Sequence, residues 1–338
     1  MHGHRTGYLS MLPRLTELAL LELDLSTLFQ HIRALVDITK LLRLTIFHCQ
    51  GVTNFLSDIE TQVGGKSVAL QHFSIESPQE VAESIKQRSL DAAEKCLQAM
   101  IHAETLQSLH TSWNVHSLLD PAFAEAFPTS QHMRSLSIHE GTNDSEYEHE
   151  MVLDISHLRE TFQACPKLRS FGVRIPERFL LHQEPGEHSI MYDEFMEALQ
   201  DLPHLRVLHL RQRNYLCSGL PTPAEDNPRN RLALTFKTHR WANVFFEHLH
   251  SRKWSLKLTA LVIRCYLEKN ANASNGYTYS SQHCFVKGLQ VDAYGRTAAV
   301  AVPISRATLR KIEPDSDILD FDPECHWIGG RIGRLNRF

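Results

Sequence analysis

The chain has 338 residues, 42% of them hydrophobic, and a formal net charge of -4. That content can bury a sizeable core, and a balance so near neutral excludes the global basic field that would hold nucleic acid or an anionic membrane by charge alone. Seven cysteines, odd in number and without a Cys-x-x-Cys pair, supply neither a disulfide framework nor a zinc ribbon.

The first fifteen residues, MHGHRTGYLSMLPRL, carry no apolar stretch behind a basic head. No later segment approaches the roughly 18–20 continuous apolar residues that a membrane span requires. The expectation is a chain working inside the cell, in cytoplasm or nucleus, with no membrane among its partners.

Along the chain one short phrase keeps returning: an apolar residue, two variable ones, an apolar residue, one variable, another apolar. It occurs at Leu15-Leu18-Leu20, Leu41-Leu44-Ile46, Leu70-Phe73-Ile75 and, more weakly, at Leu106-Leu109-Thr111. It returns at Met133-Leu136-Ile138, Leu168-Phe171-Val173, Leu205-Leu208-Leu210 and Leu258-Leu261-Ile263. Pro13, Pro166 and Pro203 precede three of the copies, where a proline ends a helix. The last two apolar positions alternate with variable ones, so both point to one face of a short strand. A single copy cannot bury them. Stacked in parallel, each fully buried Leu or Ile side chain contributes about 1.5–3 kcal/mol to a continuous core.

Between the copies the apolar period changes from two to about 3.6. Helical stripes run through Ala93, Cys96, Leu97, Met100 and Ile101, through Ile155, Leu158 and Phe162, through Tyr192, Phe195, Met196 and Leu199, and through Trp241, Val244, Phe245, His248 and Leu249. Ser77-Pro78-Gln79-Glu80 has the form of a helix start, with Ser as N-cap and Pro in the first turn. The interval between copies grows along the chain and is about twice as long from Leu210 to Ile263 as from Leu20 to Ile46. A polar insertion is therefore expected at about 211–240, where Pro221, Pro223 and Pro228 lie.

After Ile263 the phrase stops. A polar tract, Glu268 to Gly276, precedes two alternating runs at about 284–291 and 297–304, joined by Asp292-Ala293-Tyr294-Gly295-Arg296, which reads as a β-hairpin. Beyond it lie Asp315, Asp317, Asp320, Asp322 and Glu324, then Trp327, then Arg331, Arg334 and Arg337. The expected fold is α/β: a leucine-rich-repeat-like solenoid, parallel strands on one face and helices on the other, over 1–267. Residues 268–338 form the hairpin and capping segment that covers the last repeat's apolar edge. The first repeat begins at Leu12 with almost nothing ahead of it, so its outer face is expected to be covered by an oligomer, a further domain or a missing segment.

The repeats, with the strand-turn-acidic arrangement ending in Asp320-Phe321-Asp322-Pro323, resemble the fungal F-box and leucine-rich-repeat-like proteins over most of the chain. In that family a helical F-box docks onto the Skp1 adaptor of a cullin ubiquitin ligase while the repeats select the substrate. The resemblance implies a substrate-selecting adaptor. It is confined to the repeats, because no F-box-like segment precedes Leu12, and no functional residue carries over.

Catalytic and cofactor motifs are not found. Glu60-Thr61-Gln62-Val63-Gly64-Gly65-Lys66-Ser67 ends like a phosphate-binding loop, but Glu60 stands where the first Gly belongs and a strand follows in place of a helix. Of the 21 histidines, the pairings His2/His4, Glu146/His149, His182/His188 and Cys325/His326 fall short of a four-ligand metal set. The expectation is a protein without enzyme activity or cofactor that binds protein partners. Arg14, Arg43, Arg134, Arg169 and Arg206 lie at or just before strands, so stacking brings some of them into line. The expected interaction surface comprises Arg134, Arg169, Arg206, Arg211, Arg213 and Tyr215. The alternatives are a hydrolase whose site assembles only in the fold, and a nucleic-acid binder using these arginines.

Overall fold

A computed structural model describes residues 12, 14–47, 49–63, 69–76, 83–102, 104–112, 131–139, 155–175, 190–213, 228–252, 256–267 and 279–314. The chain is α/β and divides into two compact units, Met1–Met133 with Glu140–Thr142, and Arg134–His139 with Asn143–Phe338.

The first unit carries β1 (Glu17–Leu21), β2 (Arg43–Phe47), β3 (His72–Glu76) and β4 (Ser108–Ser112), with helices α1 (Leu25–Leu35), α2 (Val52–Val63) and α3 (Glu83–His102). Its strands neighbour one another in chain order and all run parallel. Register aligns Leu18, Leu44, Phe73 and Leu109 in one row and Leu20, Ile46, Ile75 and Thr111 in the next. These rows are the second and third apolar positions of each copy, and all but Leu18 are buried. The strand-to-helix turns are set by short side chains: Asp24 accepts from the Ser26 N–H at 2.9 Å to cap α1, and Asp37 does the same for Thr39 before the short 3-10 turn Ile38–Lys40. Gly51 opens α2 at φ +62, where a Cβ would stand 2.6 Å from the Ser26 backbone nitrogen, so only glycine lets the two helix starts approach.

The second unit carries β5 (Ser135–His139), β6 (Ser170–Arg174), β7 (Val207–Arg213) and β8 (Ala260–Leu267) in parallel order. The hairpin strands β9 (Tyr279–Val291) and β10 (Thr297–Ile304) follow, both antiparallel to their neighbours. Its helices are α4 (Ile155–Ala164), α5 (Ile190–Ala198), α6 (Pro228–Ser251) and α7 (Arg306–Ile312). Leu136, Phe171, Leu208, Leu261 and Phe285 share a row that faces α4 and α6: Phe162 meets Phe171 edge-on at 4.9 Å, and His239 stacks on Phe285 at 5.6 Å. These contacts fix which side of the strands the helices cover.

The eight sequence copies all become strands at the expected places. The hairpin forms where its alternation was read, with β9 starting earlier, and Asp292 closes its turn by accepting from the Tyr294 and Arg296 N–H groups at 2.8 and 2.9 Å. The stretch 211–240, expected as a polar insertion, holds the end of β7 and the first half of α6, with Pro228 in the first helical position that its missing N–H favours. The helix start at Ser77–Glu80, residues 214–227 and the acidic-then-basic tail lie outside the described residues.

Candidate interaction surface

The parallel strands β2 to β4 and β6 to β8 begin with the same hydrogen-bond device. The carbonyl of the residue just before one strand accepts two successive N–H groups of the next. In the second unit, Arg169 and Ser170 both donate to the Arg134 carbonyl at 2.7 and 3.0 Å, Arg206 and Val207 to that of Arg169 at 2.7 and 3.0 Å, and Thr259 and Ala260 to that of Arg206 at 2.9 Å. Arg134, Arg169 and Arg206 are thus successive rungs of one ladder, about 4.7–4.9 Å apart, and all three side chains are exposed. The expected alignment of these three arginines is what the backbone produces. Arg14 and Arg43 take other places: Arg14 lies in the turn before β1, and Arg43 is the first residue of β2, half-buried beside Glu17 and His72. A one-residue offset within the copy separates Arg43 from the ladder.

The third rung already holds a carboxylate. Glu313, just beyond α7, accepts from the Arg206 guanidinium at 3.3 and 3.4 Å and from the Thr259 hydroxyl at 3.1 Å. Helix α7 reaches this point by lying over the strand face opposite α4 and α6. Its Leu309 is fully buried in a cluster with Val207, Ala260, Val262 and Cys284, against which Val286 and Ile304 also pack. Ser305 caps α7 by accepting from the Thr308 N–H at 3.0 Å. From Ile304 on β10 to Glu313 at the head of β7, the chain crosses the strands in descending order.

A second arginine row lies at the other end of the same strands. Register aligns Arg174, Arg211, Arg264 and Gln282, next to a row of Ser137, Gly172, His209, Val262 and Cys284. Arg264 is 0% and Arg211 4% exposed, while Arg174 is half-buried, and each engages neighbours. A guanidinium stays charged and offers five donors, so its burial makes this row part of the interior. Arg211, expected on the interaction surface, therefore belongs to a buried row distinct from the exposed rungs. Arg174 and Arg264 were missed although their signal was present: an arginine follows the last apolar residue in three copies, Val173-Arg174, Leu210-Arg211 and Ile263-Arg264. Arg213 lies near the end of β7 with Tyr266 as its partner in register. Tyr215 is outside the described residues.

Several groups with chemistry of their own are withdrawn from solvent. Burial pushes the Cys165 thiol up to about 12 and raises Cys96 further. Burial likewise raises the Tyr192 hydroxyl, and it lowers the His283 ring below its ordinary value. Among the described residues, no group of three or more His, Cys, Asp or Glu is placed to hold a metal ion. The paired histidines and the Cys325/His326 pair noted in the sequence, and the end of the Glu60–Ser67 stretch, lie outside the described residues. No helix among the described residues is long and apolar enough to cross a membrane. Comparison of the chain with protein-family models, with curated proteins and with solved structures finds no match.

Proposed function

We propose that the chain is a non-catalytic, protein-binding array of leucine-rich-repeat type, whose strand-start arginines receive an acidic segment of a protein partner. One observation carries the reading: Arg134, Arg169 and Arg206 stand on consecutive hydrogen-bonded rungs with their side chains exposed. A row of exposed guanidiniums at strand spacing offers planar, multiply donating contacts to successive carboxylates. The seating of Glu313 on Arg206 and Thr259 is an example of such a contact within the chain.

The hairpin fits the role of a terminal cap. β9 pairs with β8 along the whole length of β8, and α6 engages the N–H and carbonyl of Ala301 on β10. The Ala301 N–H donates to Asn243 Oδ1 at 2.7 Å, and His239 Nε2 lies 2.8 Å from the Ala301 carbonyl. An edge strand so engaged is a poor template for further pairing. This directs recognition to the rungs.

The test is affinity purification of the chain from its native cells beside an R134E/R169E variant, with mass spectrometry and nuclease treatment of both. Proteins held by the native chain and lost by the variant are the expected result. Skp1 and a cullin among the retained proteins would assign the array to a ubiquitin ligase. An identical set from both chains would sink the reading, as would loss of every retained protein on nuclease treatment.

A further inference from the structure

We infer that the acidic segment received by the rungs is an α-helix, laid across the strand starts of the second unit with its axis along the row of arginines. This rests on the function proposed above and adds the partner's shape. Three observations carry it.

The first is a second row of basic residues. His132, Lys167, His204 and Lys257 stand just ahead of the first apolar position of the copies that form β5, β6, β7 and β8, and all four are exposed. Lys167 and His204 sit in matching turns, closed by the Leu168 N–H donating to the Cys165 carbonyl and the Leu205 N–H to that of Leu202, both at 3.1 Å. One buried residue, Met133, Leu168, Leu205 or Leu258, separates each from its rung, so the two rows lie no more than about 7 Å apart. A helix with its side chains is about 10–12 Å across, which puts basic groups along both its flanks. Two acids, Asp201 and Glu313, stand at the β7 end of this edge; over β5 and β6 the members of both rows are all basic.

The second is spacing. Rungs repeat at about 4.8 Å, giving about 9.5 Å from Arg134 to Arg206 and about 14 Å from His132 to Lys257. Helical turns cover about 11 and 16 Å in the same numbers of steps, a drift that long basic side chains absorb. Same-face residues of an extended segment recur at about 6.7 Å and cover about 13 and 20 Å. The third is the backbone. The carbonyls of Arg134, Arg169 and Arg206 each already accept two N–H groups, which fills both lone pairs. An extended segment needs acceptors for its own N–H groups and finds these taken, whereas a helix satisfies its own.

The experiment is fluorescence anisotropy of the full chain with a cross-linked helical peptide whose glutamates occupy one face at i, i+4, i+7 and i+11. Beside it stand a helix of the same composition with the glutamates scattered around it, and an uncrosslinked copy of the first broken by central prolines. At about 0.05 M salt the one-faced helix should bind about tenfold more tightly than either. R134E/R169E should abolish binding of all three. Lys167→Glu should weaken the one-faced helix about fivefold or more with the chain's circular dichroism unchanged, because its side chain is exposed. A scattered or proline-broken peptide that binds as tightly as the one-faced helix overturns the inference and leaves an acidic partner standing, as does a Lys167→Glu chain that binds the helix undiminished. Failure of all three peptides, or binding untouched by R134E/R169E, overturns both.

Discussion

Thr16, Leu42 and Gln71 hold in the first unit the place that Arg134, Arg169 and Arg206 hold in the second. In both units the carbonyl there accepts the next strand's first two N–H groups, as in Gln71 and His72 donating to Leu42 at 2.9 Å. The backbone device is the same and the side chains are unrelated. What the repeat constrains is the carbonyl and the two buried rows that follow. The side chain at the rung lies outside those constraints, and in the second unit it is an exposed arginine three times running.

If the two units share one construction, equivalent core truncations should cost alike. Phe73 and Phe171 hold the same position in their copies, and both are 0% exposed. Phe73→Ala and Phe171→Ala should each lower stability by about 3–5 kcal/mol, because transfer and cavity terms add. Denaturant unfolding with fluorescence and circular dichroism would measure both. A small loss for one and a large loss for the other would break the parallel at its base. Phe171 also loses its edge-on contact with Phe162, so any excess should fall on the second unit.

How much of this was legible in the sequence follows the same division. Rows such as Leu136, Phe171, Leu208 and Leu261 were readable because burial on one face leaves a period of two in the residues. The arginine rungs were half readable. Arg134, Arg169 and Arg206 follow the first apolar residue of their copies directly, whereas Arg43 follows Leu42, one place further on, and proximity to a strand did not distinguish them. The buried row of Arg174, Arg211 and Arg264 was obscured for another reason. Composition rules place arginine at the surface, and only the register of β6, β7 and β8 brings three of them to one interior line. The start of α6 was masked by its own sequence: Pro228 reads as a loop residue until the helix behind it is seen.

A smaller effect compares the units through their buried thiols, Cys96 in the first and Cys165 in the second. Burial raises both above the ordinary thiol value of 9.0. Each therefore contributes stability that is fully present below pH 9, falls as the unfolded thiol ionises, and is lost by the time pH rises through the folded value, about 12 for Cys165. One pH unit above 9 corresponds to about 1.4 kcal/mol per thiol. Stability measured at pH 8 and pH 10 should fall, and Cys165→Ala should reduce the fall by about that amount. An unchanged slope in that variant would remove Cys165 from the account. Cys96→Ala provides the same measurement for the first unit.

The smallest expected effect tests the comparison most directly, by moving arginines from one unit to the other. Leu42→Arg with Gln71→Arg places two guanidiniums at rungs whose carbonyl and N–H bonds match those of Arg169 and Arg206. Because the bonds at that position come from the backbone, unfolding free energy should change by no more than about 0.5 kcal/mol. Glu313→Gln, which removes a charge from a partly exposed pair, should cost about 0.2–1 kcal/mol, and its cost should shrink as salt is added. A transplant that destabilised the first unit by several kcal/mol would mean that the rung side chains are part of the construction. In that case the arginines of the second unit would have to be explained by folding before any partner is invoked.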